Sequence, residues 1–337
     1  MKNINSETVY YNRRMIAVLF AFMLALVPVF THAQQEPMYG QYVFNSTVIN
    51  PAQAGAHNEN HWGILARNQW LGIDGAPRTE SVYANLSLRR QIGLAFGLYQ
   101  DRLGPEQNLN FQTDISYHAR LSEHWRLAGG VRLMASNFRI NLSDIPNVDP
   151  GDPYLRQNIS SGLLLNVGAG LLAYNKRSFI GVSLPRAFEN QLQVLGSQIG
   201  NAPPDIDFSK KATRHLFAYA GTNIDLTDEI TFLPSMLFRY PVDAPVQMDL
   251  NAVFGYNDIL DFGPVIRTNL IETNDWFDAV GFLLGIRFLP NWYFGYMYEY
   301  PLTSLSLATR QTHEVSLRFI WDAKVPGRIG SPRYFLF

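Results

Sequence analysis

The chain has 337 residues, with 27 Lys and Arg against 28 Asp and Glu, and no cysteine. A formal charge of −1 gives no electrostatic case for a nucleic-acid partner, which requires a clustered basic excess, and the lack of cysteine excludes disulfides, thiolate zinc sites and a cysteine nucleophile. Charged residues make up 16% and aromatics 13%, so much apolar surface must be hidden, yet a mean hydropathy of −0.08 is too low for a bundle of apolar helices.

Residues 1–33 read as a cleaved export signal. Lys2, Arg13 and Arg14 precede an apolar run from Met15 to Phe30, and Thr31-His32-Ala33 offers small residues for cleavage. No later stretch reaches the roughly 18 consecutive apolar residues of a spanning helix. The next stretch, QQEPMYGQYVFNSTVINPAQAG from Gln34 to Gly55, follows neither a strand nor a helix period. It is rich in aromatic and amide side chains, with Asn50-Pro51 as a turn former. His57 and His61 stand four apart, but no helix is indicated there; the spacing reads as a solvated loop, and no metal is expected.

From about Trp62 the pattern takes a period of two. Val82, Ala84, Leu86 and Leu88 alternate with Ser81, Tyr83, Asn85 and Ser87; Leu109, Phe111, Ile115 and Tyr117 alternate with Asn110, Gln112, Asp114, Ser116 and His118. Fourteen such segments start near Trp62, Glu80, Gln91, Leu109, Trp125, Ser160, Ser178, Ala212, Ile230, Val246, Ile259, Asp275, Trp292 and Thr312. Most run about 9–14 residues, enough for a tilted strand to cross a bilayer. Pro234 and Pro264 should mark bulges or exposed ends.

Connections after even-numbered segments are short, such as Arg89-Arg90 and Asn257-Asp258; those after odd-numbered segments are as long or longer, such as Leu71–Thr79, Asp101–Asn108, Arg139–Ile159 and Arg186–Lys211. Short periplasmic turns alternating with long outer loops are the habit of bacterial outer-membrane barrels. Closure is also the only way strands can cross hydrocarbon, which offers no partner to an open edge. A soluble β-sandwich would alternate too, but it would not need Trp62, Trp70, Trp125 and Trp292 at outward segment ends. The expected fold is therefore all-β: a transmembrane antiparallel outer-membrane β-barrel of about 14 strands over residues 62–321. An extension, 34–61, precedes it and a C-terminal periplasmic tail, 322–337, follows.

Parity sends Arg67, Gln69, Asn85, Asp114, Arg126, Arg132, Asn166, Asp249, Asn251, Arg287, Glu299, Glu314 and Arg318 into the lumen, where they should form an ion-pair lattice. The segment Gln34–Asn60 should plug the lumen or lie across its periplasmic mouth, because Tyr39, Tyr42, Val43 and Phe44 need cover. No Gly-x-Ser-x-Gly elbow, phosphate-binding glycine loop or zinc-protease helix is present, so no catalytic residue and no cofactor is expected. Asp144, Asp149 and Asp152 could offer oxygens to calcium, but the prolines among them make a turn sufficient reason for the cluster.

The strings QYVFNSTVINPAQAG and, at the right distance, RNQWLGIDGAPRT resemble the opening of PorP/SprF proteins of the type IX secretion system of Bacteroidota. The turn Gly104–Gln107, the strand Thr312-His313-Glu314-Val315 and the closing SPRYF are similar too; Ser46-Thr47-Val48-Ile49 is less aromatic than the family pattern. The resemblance implies a non-enzymatic outer-membrane barrel that serves protein export. Its partners would be other components of the secretion machine, outer-membrane lipids, and a cargo carrying a C-terminal domain or acting as a gliding-motility adhesin. Candidate contacts for the cargo or the plug are Tyr42, Phe44, Asn45, Asn50, Pro51, Arg67, Gln69, Trp70, Asp74, Gly75 and Pro77. The rival from another class is a porin or uptake channel for small solutes. A membrane-embedded serine hydrolase ranks last.

Overall fold

Alternating side chains leave each strand one face fit for lipid and one that is not, and a sheet of such strands has to close on itself. The computed structural model describes residues 39–89, 91–141, 159–189, 191–195, 207–211, 214–242, 245–270, 276–303, 306 and 309–322. Fourteen strands make the wall: β1 (Glu59–Asn68), β2 (Arg78–Arg89), β3 (Ile92–Leu103), β4 (Glu106–Arg120), β5 (Arg126–Ile140), β6 (Leu164–Tyr174) and β7 (Ser178–Leu184) form the first half. The second half is β8 (His215–Thr222), β9 (Ile230–Pro241), β10 (Gln247–Tyr256), β11 (Leu260–Asn269), β12 (Phe277–Leu289), β13 (Trp292–Pro301) and β14 (Thr312–Asp322). Each strand pairs antiparallel with its chain neighbours, and β1 pairs with β14 from Glu59↔Asp322 to Asn68↔His313, which closes the barrel. Two-residue strands at Ile159–Ser160 and Ile224–Asp225 extend the wall locally, and Gln191–Leu195 pairs with Asp207–Lys211 as a separate hairpin. Among the described residues no helix is long and apolar enough to cross a membrane; the crossing elements are strands.

The faces fall as the alternation requires. Val82, Phe111, Ile115, Val131 and Phe282 are exposed on the outside, while Asn85, Asp114, Ser116, Arg132, Asp249 and Glu314 are buried on the inside. At the end with short turns, which faces the periplasm by the habit of such barrels, Trp62 meets Trp292 edge-on at 5.8 Å and Phe319 lies 5.0 Å from Trp292. At the opposite end Tyr240, Trp276, Phe277 and Tyr300 are exposed. The two groups are the interfacial girdles of an outer-membrane barrel, where aromatic rings sit at the headgroup level.

Two features depart from the sequence pattern. The connection expected over Asp101–Asn108 is a tight turn at Gly104-Pro105, with Leu103 paired to Glu106. The strands run past the apolar band because above lipid the outward face no longer has to be apolar, and Gln100 and Arg102 continue the ladder. Neither proline makes a bulge in the β9–β10 or β11–β12 registers. Pro234 pairs in line with Ala252 just beyond Gly221↔Ser235, where the ladder to β8 ends, and β10–β11 pairing skips from Asn251↔Val265 to Phe254↔Phe262 around Pro264. A residue without an N–H is tolerated where the ladder needs none.

The signal at 1–33, the tail beyond Asp322, the acidic cluster Asp144–Asp152 and the middle of both longest outer connections lie outside the described residues. Val131→Arg, in the middle of the outward face of β5, should destabilise the barrel in bilayers by about 2–4 kcal/mol. Denaturant unfolding from vesicles would show it, and an unchanged midpoint would contradict the lipid-facing assignment.

Candidate functional site: the lumen

Inward polar side chains have no bulk water to turn to, so each has to find a partner inside the barrel. Glu314, Arg67, Glu299, Arg267, Asp249 and Arg239 solve this as a chain of alternating charge around the lumen. Successive N–O distances are 3.0, 3.0, 2.9, 3.0 and 2.5 Å. Three carboxylates meet three guanidiniums, so the ladder carries no net charge. It links β14, β1, β13, β11, β10 and β9 near their outer ends. A second pair, Arg132 to Asp114, is bidentate with both contacts at 2.7 Å.

The segment from Tyr39 to Asn58 runs inside this wall, in three short turns at Ser46–Val48, Pro51–Gln53 and Ala56–Asn58. Its start is held by Glu314, whose two carboxylate oxygens accept from Gly40 N at 2.9 Å and Gln41 N at 2.8 Å. The Gln41 side chain donates to Glu314 O and accepts from Ser316 Oγ. Asn251 donates to the Tyr42 hydroxyl, and Tyr42 is neutral because burial, then the nearby Asp249 carboxylate, push its proton affinity up. Phe44 then packs edge-on against Tyr293 at 5.0 Å, and Arg318 donates to Phe44 O at 2.9 Å.

The path crosses to the other wall. Arg132 uses its remaining N–H groups on Thr47 O and Val48 O, and Ser183 Oγ donates to Ile49 O. Asn50 accepts from Ala52 N at 2.8 Å, which starts the next turn with Pro51 at its first position. Its amide nitrogen donates to Leu171 O and to Tyr219 OH, both at 3.0 Å. Gln53 also reaches Tyr219 OH, Ser116 Oγ donates to Ala54 O, and Gly55 N donates to Asn85 Oδ1 at 2.6 Å before the chain enters β1. Gly55 has φ +64 and lies against the backbone of Gly93; Gly130 receives the Pro51–Ala52 backbone where a Cβ would overlap it. Small residues on the inner face thus carve the bed in which the segment lies.

The structure sorts the predicted contact residues into two groups. Tyr42, Phe44, Asn45, Asn50 and Pro51 are buried in the lumen, and Arg67 joins them through Glu314. Gln69, Trp70, Asp74, Gly75 and Pro77 lie in the first outer connection. There Gln69 N donates to Pro77 O at 2.9 Å, Trp70 has φ +51, and Gly75 O accepts from Gly104 N at 2.8 Å, tying that connection to the next turn. Arg132, Ser183, Tyr219 and Asn251 also hold the segment, and inward parity on a strand marks each of them.

His57 and His61 do not converge on a metal; His61 is buried and His57 half-buried. His57 packs edge-on against Tyr174 at 4.8 Å, while His61 faces Glu59 at 2.9 Å. Burial pulls the proton affinity of His57 down to about 4, helped by His118 and Arg126 and opposed by Glu59. Among the described residues no group of three His, Asp or Glu could hold a metal. The cavity between Phe44, Asn45, Gln53, Glu59, His61 and Arg318 is about 20 Å³, room for one water.

The family model described as type IX secretion system membrane protein PorP/SprF matches residues 31–319. No curated protein matches. Among solved structures, the CymD monoaromatic hydrocarbon channel is similar with a TM-score of 0.52 at 11% identity, over 87% of this chain and 95% of that one. The Ralstonia pickettii toluene transporter TbuX scores 0.47 at 9% identity, over 82% and 92%. At such identity the CymD likeness speaks for the fold alone.

Gly130→Val should weaken docking of the Tyr39–Asn58 segment by about 1–3 kcal/mol through overpacking. Faster hydrogen exchange at residues 47–55 with unchanged exchange in β4 and β5 would show it. Docking should also depend on pH through His57. Its affinity for a proton is lower when docked, so docking is at full strength above about pH 6.5 and is lost progressively as pH falls toward 4. A His57→Gln variant should make that exchange profile shallower.

Proposed function

The chain belongs to the PorP/SprF family of type IX secretion system membrane proteins, and from that membership we propose that it is a non-enzymatic barrel aiding the export and surface attachment of a cargo protein. The cargo, a gliding-motility adhesin or another protein with a C-terminal export domain, would dock on the long outer connections on either side of β6 and β7. A rigid wall that carries contact loops at its rim is the usual arrangement for such docking. Residues 1–33 would act as the cleaved signal, and Tyr39–Asn58 as a plug.

One observation carries this reading. Many of the lumen's polar groups bond to one another or to Tyr39–Asn58, in contacts running from Glu314 on one wall to Arg132 and Tyr219 on the other. Side chains committed in this way are not available to line a solute path, which leaves the rim as the working surface. The solute-channel reading would need that segment to leave.

Two measurements test the proposal. Deleting the gene should strip one or more large proteins from the cell surface and impair gliding; an unchanged surface proteome with unchanged movement would refute the export role. Purified protein in planar bilayers should conduct little, and removal of residues 39–58 should open a stable pore. High conductance of the intact protein would favour the porin.

A further inference from the structure

The outward face of β2–β5 changes character at its outer end. Below, Val82, Leu98 and Phe111 are cross-strand partners in one exposed apolar row. Two outward positions further along each strand, the register places Arg78 opposite Arg102, Arg102 opposite Gln107, and Gln107 opposite Arg139. All three arginines are exposed. They donate to neutral amide oxygens: Arg78 Nε to Asn68 at 2.7 Å, Arg102 Nη2 to Gln100 at 3.1 Å, and Arg139 Nε to Asn137 at 2.9 Å.

Like charges placed directly opposite on a sheet repel, and Arg78↔Arg102 is such a pair. In this row and the one below it the single acid is Glu80, whose cross-strand partners are Ala66 and Gln100. Asp101 and Glu106 have inward parity, and Asp101 accepts from Thr79. Three guanidiniums against one carboxylate leave a net positive patch directly above lipid-facing side chains. Guanidinium forks match phosphate oxygens in pairs, and apolar side chains beneath match acyl chains.

We propose that this face is a binding site for a phosphate-bearing lipid of the outer leaflet, with Arg78, Arg102 and Arg139 holding the phosphate and Val82, Leu98 and Phe111 the acyl chains. The site rests on the outer-membrane placement and is independent of any cargo. Bound lipid would relieve the arginine pair and fix β2–β5 in the leaflet beneath the first two outer connections.

The test uses the full chain in nanodiscs of neutral lipid doped with phosphorylated glycolipid extracted from an outer membrane, with retained lipid counted by native mass spectrometry. Wild type should retain the glycolipid, and retention should fall with added salt as charge screening grows. The triple variant R78Q/R102Q/R139Q should lose roughly fivefold per arginine. Dephosphorylated glycolipid should be retained by neither protein. Equal retention by variant and wild type, retention indifferent to salt or to dephosphorylation, or competition by millimolar inorganic phosphate alone would overturn the proposal. Arg102→Gln alone should give a partial loss and serves if the triple variant does not fold. A boiled-versus-unboiled gel shift on the same samples separates the outcomes: with the shift present only the site falls, and with it absent the membrane placement falls as well.

Discussion

Hydrocarbon offers no hydrogen bond to a peptide group, and everything else in this protein follows from meeting that condition with strands. Pairing β1 with β14 along ten residue pairs leaves no edge in the sheet. Once closed, the wall divides side chains by parity alone. A one-residue slip in β5 or β10 would put Arg132 or Asp249 into lipid, so the register there is held by the cost of that error.

Closure moves the problem inward. The inner face carries arginines and carboxylates at a density that an isolated lumen could not tolerate unpaired. The Glu314-to-Arg239 chain neutralises its own charges, and Arg132 is neutralised by Asp114. What remains are spare donors and acceptors, and these hold the Tyr39–Asn58 backbone. Glu314 shows the double use: one carboxylate accepts from Arg67 and from two backbone amides of the segment. Buried ion pairs of this kind add little net stability, but they specify geometry, here which stretch of chain fits the lumen and in which direction.

Much of this was legible beforehand, for a specific reason. A period of two is a local property, so Val82 outward and Asn85 inward follow from neighbours in the chain. The limits of that logic show at Gly104-Pro105, where strands continue beyond the lipid because nothing there demands an apolar face. They show again at His57 and His61, whose spacing suggests a loop in water but whose surroundings are Tyr174 and Glu59. The candidate contacts divide in the same way. Tyr42 and Phe44 signalled a need for cover by their apolar rings, but nothing local separated Asn45, Asn50 and Pro51, which lie in the lumen, from Gln69, Trp70, Asp74, Gly75 and Pro77, which lie in an outer connection.

By itself, the order of residues settled the strand number and the sidedness of each strand, because these depend on residues a few positions apart. Only the folded barrel decided that Glu314 grips Gly40 and Gln41, that Arg132 holds Thr47 and Val48, and that three outward arginines share one row. Those contacts join residues tens to hundreds of positions apart, and cross-strand register brings them together through closure, which no local pattern encodes.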